Sequence, residues 1–242
     1  MIQRDGLIGL LLVLVISAGC AETRGEYGLM KSDLPNDGFL GEFSQRLKPG
    51  DESQGQAAHF YNDPNLREVG RRYTKAMIDP VLFFRAESGI AEGMSQEDAQ
   101  TLANYMHNTM YKALKEHFEI VDQPGPDTIR FKFAMSNAES RWVGLDVIST
   151  IVPQLRAVVE LKGFATGKPS FVGSAVLQYK AVDAQTGKVL VAGIDPRVGG
   201  KALSKGFDKW ADVINIVDFW GDLSKYRLCK LKSLPNCQQP KP

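Results

Sequence analysis

The side chains able to do chemistry in this 242-residue chain are few and scattered. Three histidines, His59, His107 and His117, are the natural candidates for metal ligands or proton carriers. His107 and His117 lie on one predicted helix, roughly 280° apart around it, so they do not share a face at ligand spacing. Neither has a neighbouring cysteine or carboxylate pattern that fixes a coordination geometry, and no metal or cofactor is expected. Asp79, Asp183 and Asp195 are read at strand breaks or turns, where aspartate commonly bonds local backbone amides. Asp183 with Thr186 reads as turn chemistry of this kind. A hydrolase would need a cleft that gathers Asp79, Glu139 or His107. There is no GxSxG turn to present a nucleophilic serine. Gly199-Gly200-Lys201 lacks the spacing of a phosphate loop, and Ala202 stands where a Mg²⁺-binding Ser/Thr is required. No catalytic residue is assigned, and the expected activity is non-enzymatic.

The cysteines say more than the histidines. Cys20 closes the only long apolar run, Gly6 to Ile16, which follows a short polar start carrying Arg4. As a helix that run spans only ~16 Å, short of the ~30 Å hydrocarbon core, so it suits a secretory signal better than a membrane span. Ser17-Ala18-Gly19-Cys20 resembles the bacterial lipobox, with Ser17 where leucine is usual and Ile16 one place earlier. The resemblance implies that residues 1–19 are removed and that the Cys20 sulfur takes a diacylglyceryl group, three acyl chains in all. Each buried methylene adds ~0.8 kcal/mol, so the membrane partner is held through acyl chains on Cys20. Ala21 follows where aspartate would signal inner-membrane retention, so the expected address is the periplasmic face of the outer membrane. In an oxidising periplasm, Cys229 and Cys237 are expected to join and close a basic tail, residues 229–242.

Total charge narrows the partners further. Lysine and arginine number 29 against 28 aspartates and glutamates, for a net charge of +1. Such a chain has no global field to hold a polyanion, which excludes a dedicated nucleic-acid binder.

The elements that must position these residues follow from periodicity. Residues 20–65 read as a lipidated N-terminus and tether, with Phe39, Leu40, Phe43 and Leu47 docking onto the body. Residues 66–228 read as one α+β domain. Thr74 to Phe84 predicts a strand interrupted or placed at an edge by Pro80. Ser95 and Asp98 cap a helix in which Leu102, Met106, Met110, Ala113 and Leu114 recur at helical spacing to about His117. Glu119 to Val121 is a short strand, followed by a turn at Pro124 to Asp127 and an alternating strand from Thr128 to Ser136. Trp142 to Leu161 predicts an amphipathic helix kinked at Pro153, serving either as core or as a binding surface. Phe171 to Val182 and Lys188 to Ile194 predict a hairpin around Asp183–Gly187. Phe207 to Tyr226 predicts a helix with Trp210, Ile214, Val217 and Trp220 in its apolar stripe. The expected fold is a mostly antiparallel sheet of about five strands with two or three helices on one face.

Several segments also carry a resemblance. Asp37-Gly-Phe-Leu-Gly-Glu-Phe-Ser44 with Pro49-Gly50 forms the first, and Tyr73-Thr-Lys-Ala-Met-Ile-Asp-Pro80 the second. The third is the hairpin from Phe171-Val-Gly-Ser-Ala175 to Val182-Asp-Ala-Gln-Thr-Gly-Lys-Val-Leu190, and the last is Lys209-Trp210 with Phe219-Trp220. In this order they resemble the bacterial lipoproteins grouped as domain of unknown function 3313. That resemblance implies a lipid-anchored envelope protein and supplies no catalytic residues. The expected function is a non-enzymatic interaction module whose partner is an envelope protein or peptidoglycan. The alternative is a periplasmic binder of a small apolar or lipid ligand, with the Trp142–Leu161 segment lining its pocket. A cell-wall hydrolase ranks third.

Overall fold

A computed structural model describes residues 38–84, 96–136, 147–149, 174–198 and 211–241. Cys20, Glu139, Lys201 and Trp210 lie outside these residues, as does Ser95.

The order of elements begins with β1 (Lys48–Pro49), β2 (His59–Asn62) and the short helix α1 (Leu66–Val69). Next come β3 (Lys75–Ile78), β4 (Leu82–Phe84), α2 (Gln96–Lys115), β5 (Glu119–Ile120) and β6 (Thr128–Ser136). The chain finishes with β7 (Val147–Ser149), β8 (Ser174–Asp183), β9 (Val189–Val198) and α3 (Ala211–Leu231). Among the described residues, nine strands join one sheet in the order β1-β2-β9-β8-β6-β3-β5, with β4 also on β6 and β7 beyond β4.

This corrects the expectation of about five mostly antiparallel strands. The sheet is mixed: β3 pairs parallel with β5 and β6, and β4 pairs parallel with β6. Parallel pairing needs a crossover, and α2 supplies it by lying between β4 and β5 in the chain. Alternation in Thr128 to Ser136 reveals a strand and its two faces, but not the direction of its neighbours. Pro80 acts as expected. Between the β3 and β4 registers this chain advances from Ile78 to Leu82 while β6 advances only from Phe131 to Ala134. The extra residue makes a bulge at Asp79-Pro80, where proline's missing N–H costs no ladder bond.

The hairpin forms as predicted. β8 and β9 pair antiparallel, and Gly187 takes φ +71° where the second strand begins. Asp183 Oδ1 accepts from Gln185 N, Thr186 N and Thr186 Oγ1, so its turn role is realised.

Both predicted helices cover one face of the sheet. On α2 the buried residues Ala99, Leu102, Ala103, Met106, Met110, Ala113 and Leu114 fall on one stripe. Glu97 and Asp98 in its first turn, and Lys112 and Lys115 in its last, complement the helix dipole. Burying each Leu or Met stabilises by ~1.5–3 kcal/mol, so this stripe dominates the docking energy. It meets Val213, Ile216, Val217, Trp220 and Leu223 of α3 in the main core.

Three further expectations change. Part of the segment read as tether is built into the sheet, because His59–Asn62 pairs with Val191–Ile194. Docking of the Phe39 cluster is observed: Phe39, Leu40 and Leu47 bury against Ala134, Val176, Ala192 and Ile194 on the face opposite the helices. Within the predicted Trp142–Leu161 helix, Val147–Ser149 is instead a strand paired with β4, and the remainder lies outside the described residues. Val147 and Ile148 are β-branched, and β-branching favours the pleat over the helix. The last helix runs on to Leu231, so Cys229 lies in its final turn.

Candidate functional site

The predicted chemical residues do not assemble into one centre. His59 is on β2, His107 is mid-helix on α2, and His117 follows that helix. Burial lowers the pKa of His107 and His117, with Lys232 adding to the effect at His117. Among the described residues no three of His, Cys, Asp and Glu come together as a metal-binding group. Asp79 is engaged by cations, accepting from Arg130 Nε at 2.6 Å with Lys132 Nζ at 3.7 Å.

Asp195 departs from expectation. It was read at a break, yet it lies inside β9 and is fully buried. The reason is a polar cluster that the sequence reading missed. Asp195 Oδ2 accepts from Arg197 Nε and from the Trp220 indole N–H, both at 3.1 Å, and Oδ1 accepts from Ala58 N at 3.0 Å. Arg197, also buried, donates through Nη1 to Glu52 and stacks its guanidinium 4.5 Å from the Phe219 ring centroid. Two charges at i and i+2 in an otherwise apolar strand (VLVAGIDPRV) are the signal for this cluster, because such residues share one face. It ties β9, α3 and the 51–58 segment together.

Beside that segment lies a cleft of about 740 Å³. That size falls within the range of small-molecule sites. Its floor is the helix-covered face of the sheet beyond the reach of the helices, with Ile129, Phe131, Phe133, Leu177, Tyr179 and Val191. Its walls are Phe60 and the 54–57 turn, α1 through Leu66, and the end of α3 with the tail through Tyr226, Leu228, Leu231 and Leu234. Gly193 shapes the floor. The Tyr179 ring lies flat over it, and a Cβ there would stand 2.4 Å from the ring.

The polar lining is one-sided. Arg67, Arg71, Arg227 and Lys230 all border the cleft, and among the described residues no aspartate or glutamate does. Arg71 Nη2 donates to Ser233 Oγ at 2.6 Å. Arg227 Nε donates to Gly55 O at 2.7 Å, and its guanidinium stands 5.7 Å from the Tyr179 ring centroid. Arg227 Nη2 is buried without a partner among the described residues. A buried donor left unsatisfied costs ~1–3 kcal/mol, more when charged, so this atom favours an incoming acceptor.

The tail wall is fastened. Cys229 and Cys237 lie at disulfide distance with Cα atoms 5.7 Å apart, and the loop they close contains Ser233 and Leu234. Basic residues near this wall are committed to the body: Lys225 of α3 to Glu116 and Asp222, and Lys232 of the tail to the His117 carbonyl. Leu234 is the one large hydrophobic residue exposed among the described residues, at 44%.

The family described as Protein of unknown function (DUF3313) matches residues 35–224. The chain belongs to this family. The DUF3313 match covers both sheet halves and most of α3, and stops short of the disulfide-closed tail. No curated protein matches the chain. Among solved structures, a PelC dodecamer from Paraburkholderia phytofirmans is similar at 11% identity, over 73% of this DUF3313 chain and 96% of that one, with a TM-score of 0.33.

Proposed function

We propose that this chain is a lipid-anchored protein of the bacterial outer membrane, facing the periplasm, which acts by binding rather than catalysis. Its cleft holds a small apolar or lipid ligand. The observation that carries this reading is the 740 Å³ cleft with an aromatic and aliphatic floor. A docking module for another protein would present a contiguous apolar patch, whereas among the described residues only Leu234 is large, apolar and exposed. The cleft is therefore favoured over a flat interface with an envelope protein or peptidoglycan. The test uses the full chain and Nile red, a neutral dye that brightens in apolar surroundings. Saturable binding is expected, together with its loss in Leu177→Asp, which places a charge on the floor. Dye fluorescence that never saturates, or is unchanged in Leu177→Asp, would sink the ligand reading.

A further inference from the structure

We infer that the cleft takes an amphiphile with an anionic head, a carboxylate or a phosphate, seated at Arg227 with its acyl chain along the sheet. This inference rests on the ligand-binding reading and adds the ligand's charge and orientation.

Charge segregation is the first support. Acids and bases nearly balance over the whole chain, 28 against 29, yet among the described residues the cleft is bordered by four cations and no acid. A neutral ligand would leave that positive potential unanswered, and a cationic one would be repelled. The second support is geometric. Arg227 fixes its guanidinium through Gly55 O and the Tyr179 ring, and this leaves Nη2 buried and unpartnered. A planar donor held in place suits an oxyanion, which accepts charge-assisted bonds roughly twice as strong as neutral ones. The third is polarity along the cleft. Arg67 and Lys230 are exposed at its margin, whereas Phe133 and Leu177 are buried on its floor. Arg227 is half-buried, between these two in exposure, so a head there and a chain on the floor match that gradient.

The experiment places the full chain in phosphatidylcholine nanodiscs, with empty discs as reference, and titrates four ten-carbon probes. These are decanoate, decyl phosphate, decanol and decyltrimethylammonium. Decanoate or decyl phosphate is expected to bind at least about tenfold tighter than decanol, as one charge-assisted bond allows. The cationic probe is expected to bind weakest. The ratio of the two anions separates a free fatty acid from a phosphate headgroup. Arg227→Gln is expected to remove about tenfold of the anion's affinity and leave decanol unchanged. Because Arg227 also bonds Gly55, the exposed pair Arg67→Gln with Lys230→Gln is the second variant, expected to flatten the salt dependence of anion binding. Equal affinity for all four probes would overturn the anionic head while the apolar-ligand reading stands. Absence of binding by any probe, with crosslinked dimers on a gel, would assign the cleft to a second copy and overturn both.

Discussion

Asp195 and Arg197 are buried charges that survive only because each has partners. Removing one partner of such a pair leaves the other uncompensated, and that costs ~3–5 kcal/mol. Asp195→Ala is therefore expected to lower the urea midpoint by a corresponding amount without changing the slope, since Trp220, Ala58 and Arg197 all lose their acceptor. An unchanged midpoint would mean that water satisfies the cluster. A second residue-scale effect depends on pH. Asp63 is buried and held below the usual carboxylate range, first by its bond from Lys188 Nζ at 2.7 Å and then by Asn65 N. At Asp183 burial pushes the pKa up, but bonds from Thr186, Tyr73 and Gln185 outweigh it and lower the group overall. Tyr73, buried and bonded to Asp183, is pushed up to about 12. A carboxyl with a depressed folded pKa stabilises the fold above its unfolded value of about 3.9, and the contribution is lost as pH falls through the folded value. The melting temperature should thus fall modestly as pH drops below about 6.5, where half-buried His107 and His117 resist protonation, and more steeply below about pH 4. Asp63→Asn should make that acid slope shallower, and identical slopes would refute the assignment.

At the scale of elements, the α3 terminus and its tail form the least redundant wall of the cleft. In the chain-entropy view, closing so short a loop between Cys229 and Cys237 stabilises by ~2.5 kcal/mol. Cys229→Ser is expected to cost about that much in thermal unfolding and to speed hydrogen exchange at Leu234 N, which bonds Cys229 O across the loop. Exchange at the oxidised rate would show that bonds such as Arg71 to Ser233 and Gln239 to Glu52 hold the tail without the bridge. These elements also show what periodicity can and cannot reveal. Helix α2, strand β6 and the β8–β9 hairpin were legible, because each buries one face and its apolar spacing says so. β2 was not legible, since His59-Phe-Tyr-Asn62 is four residues of mixed character that become a strand only against β9. Val147–Ser149 misled because a run of Val and Ile fits helical spacing and a strand equally until its partner β4 is known. The cleft was invisible for a related reason. Arg67, Arg227 and Tyr179 come from three distant parts of the chain, and nothing local marks them as neighbours.

At the scale of the whole molecule, the proposed anchor would govern location. In the proposed reading, acyl chains on Cys20 hold the body at a bilayer, and among the described residues no helix is long and apolar enough to cross one. Cys20→Ala is expected to release most of the protein from the membrane fraction and to abolish fatty-acid labelling. Membrane association that persists without the sulfur would refute the anchor.

The pairing of Ala58 with Asp195 joins residues 137 positions apart, and β2 beside it is locked to β9 in the same way. In the proposed reading the chain crosses the inner membrane unfolded and from its N-terminus, so the β2 edge emerges well before β9. Through that interval its backbone donors and acceptors are open to any passing strand. The brevity of β2, with Asn62 and the following Asp63-Pro64 at its end, limits that hazard. Completion of this sheet is thus a late event in the folding of each chain, because its edge strand must wait for β9 to arrive.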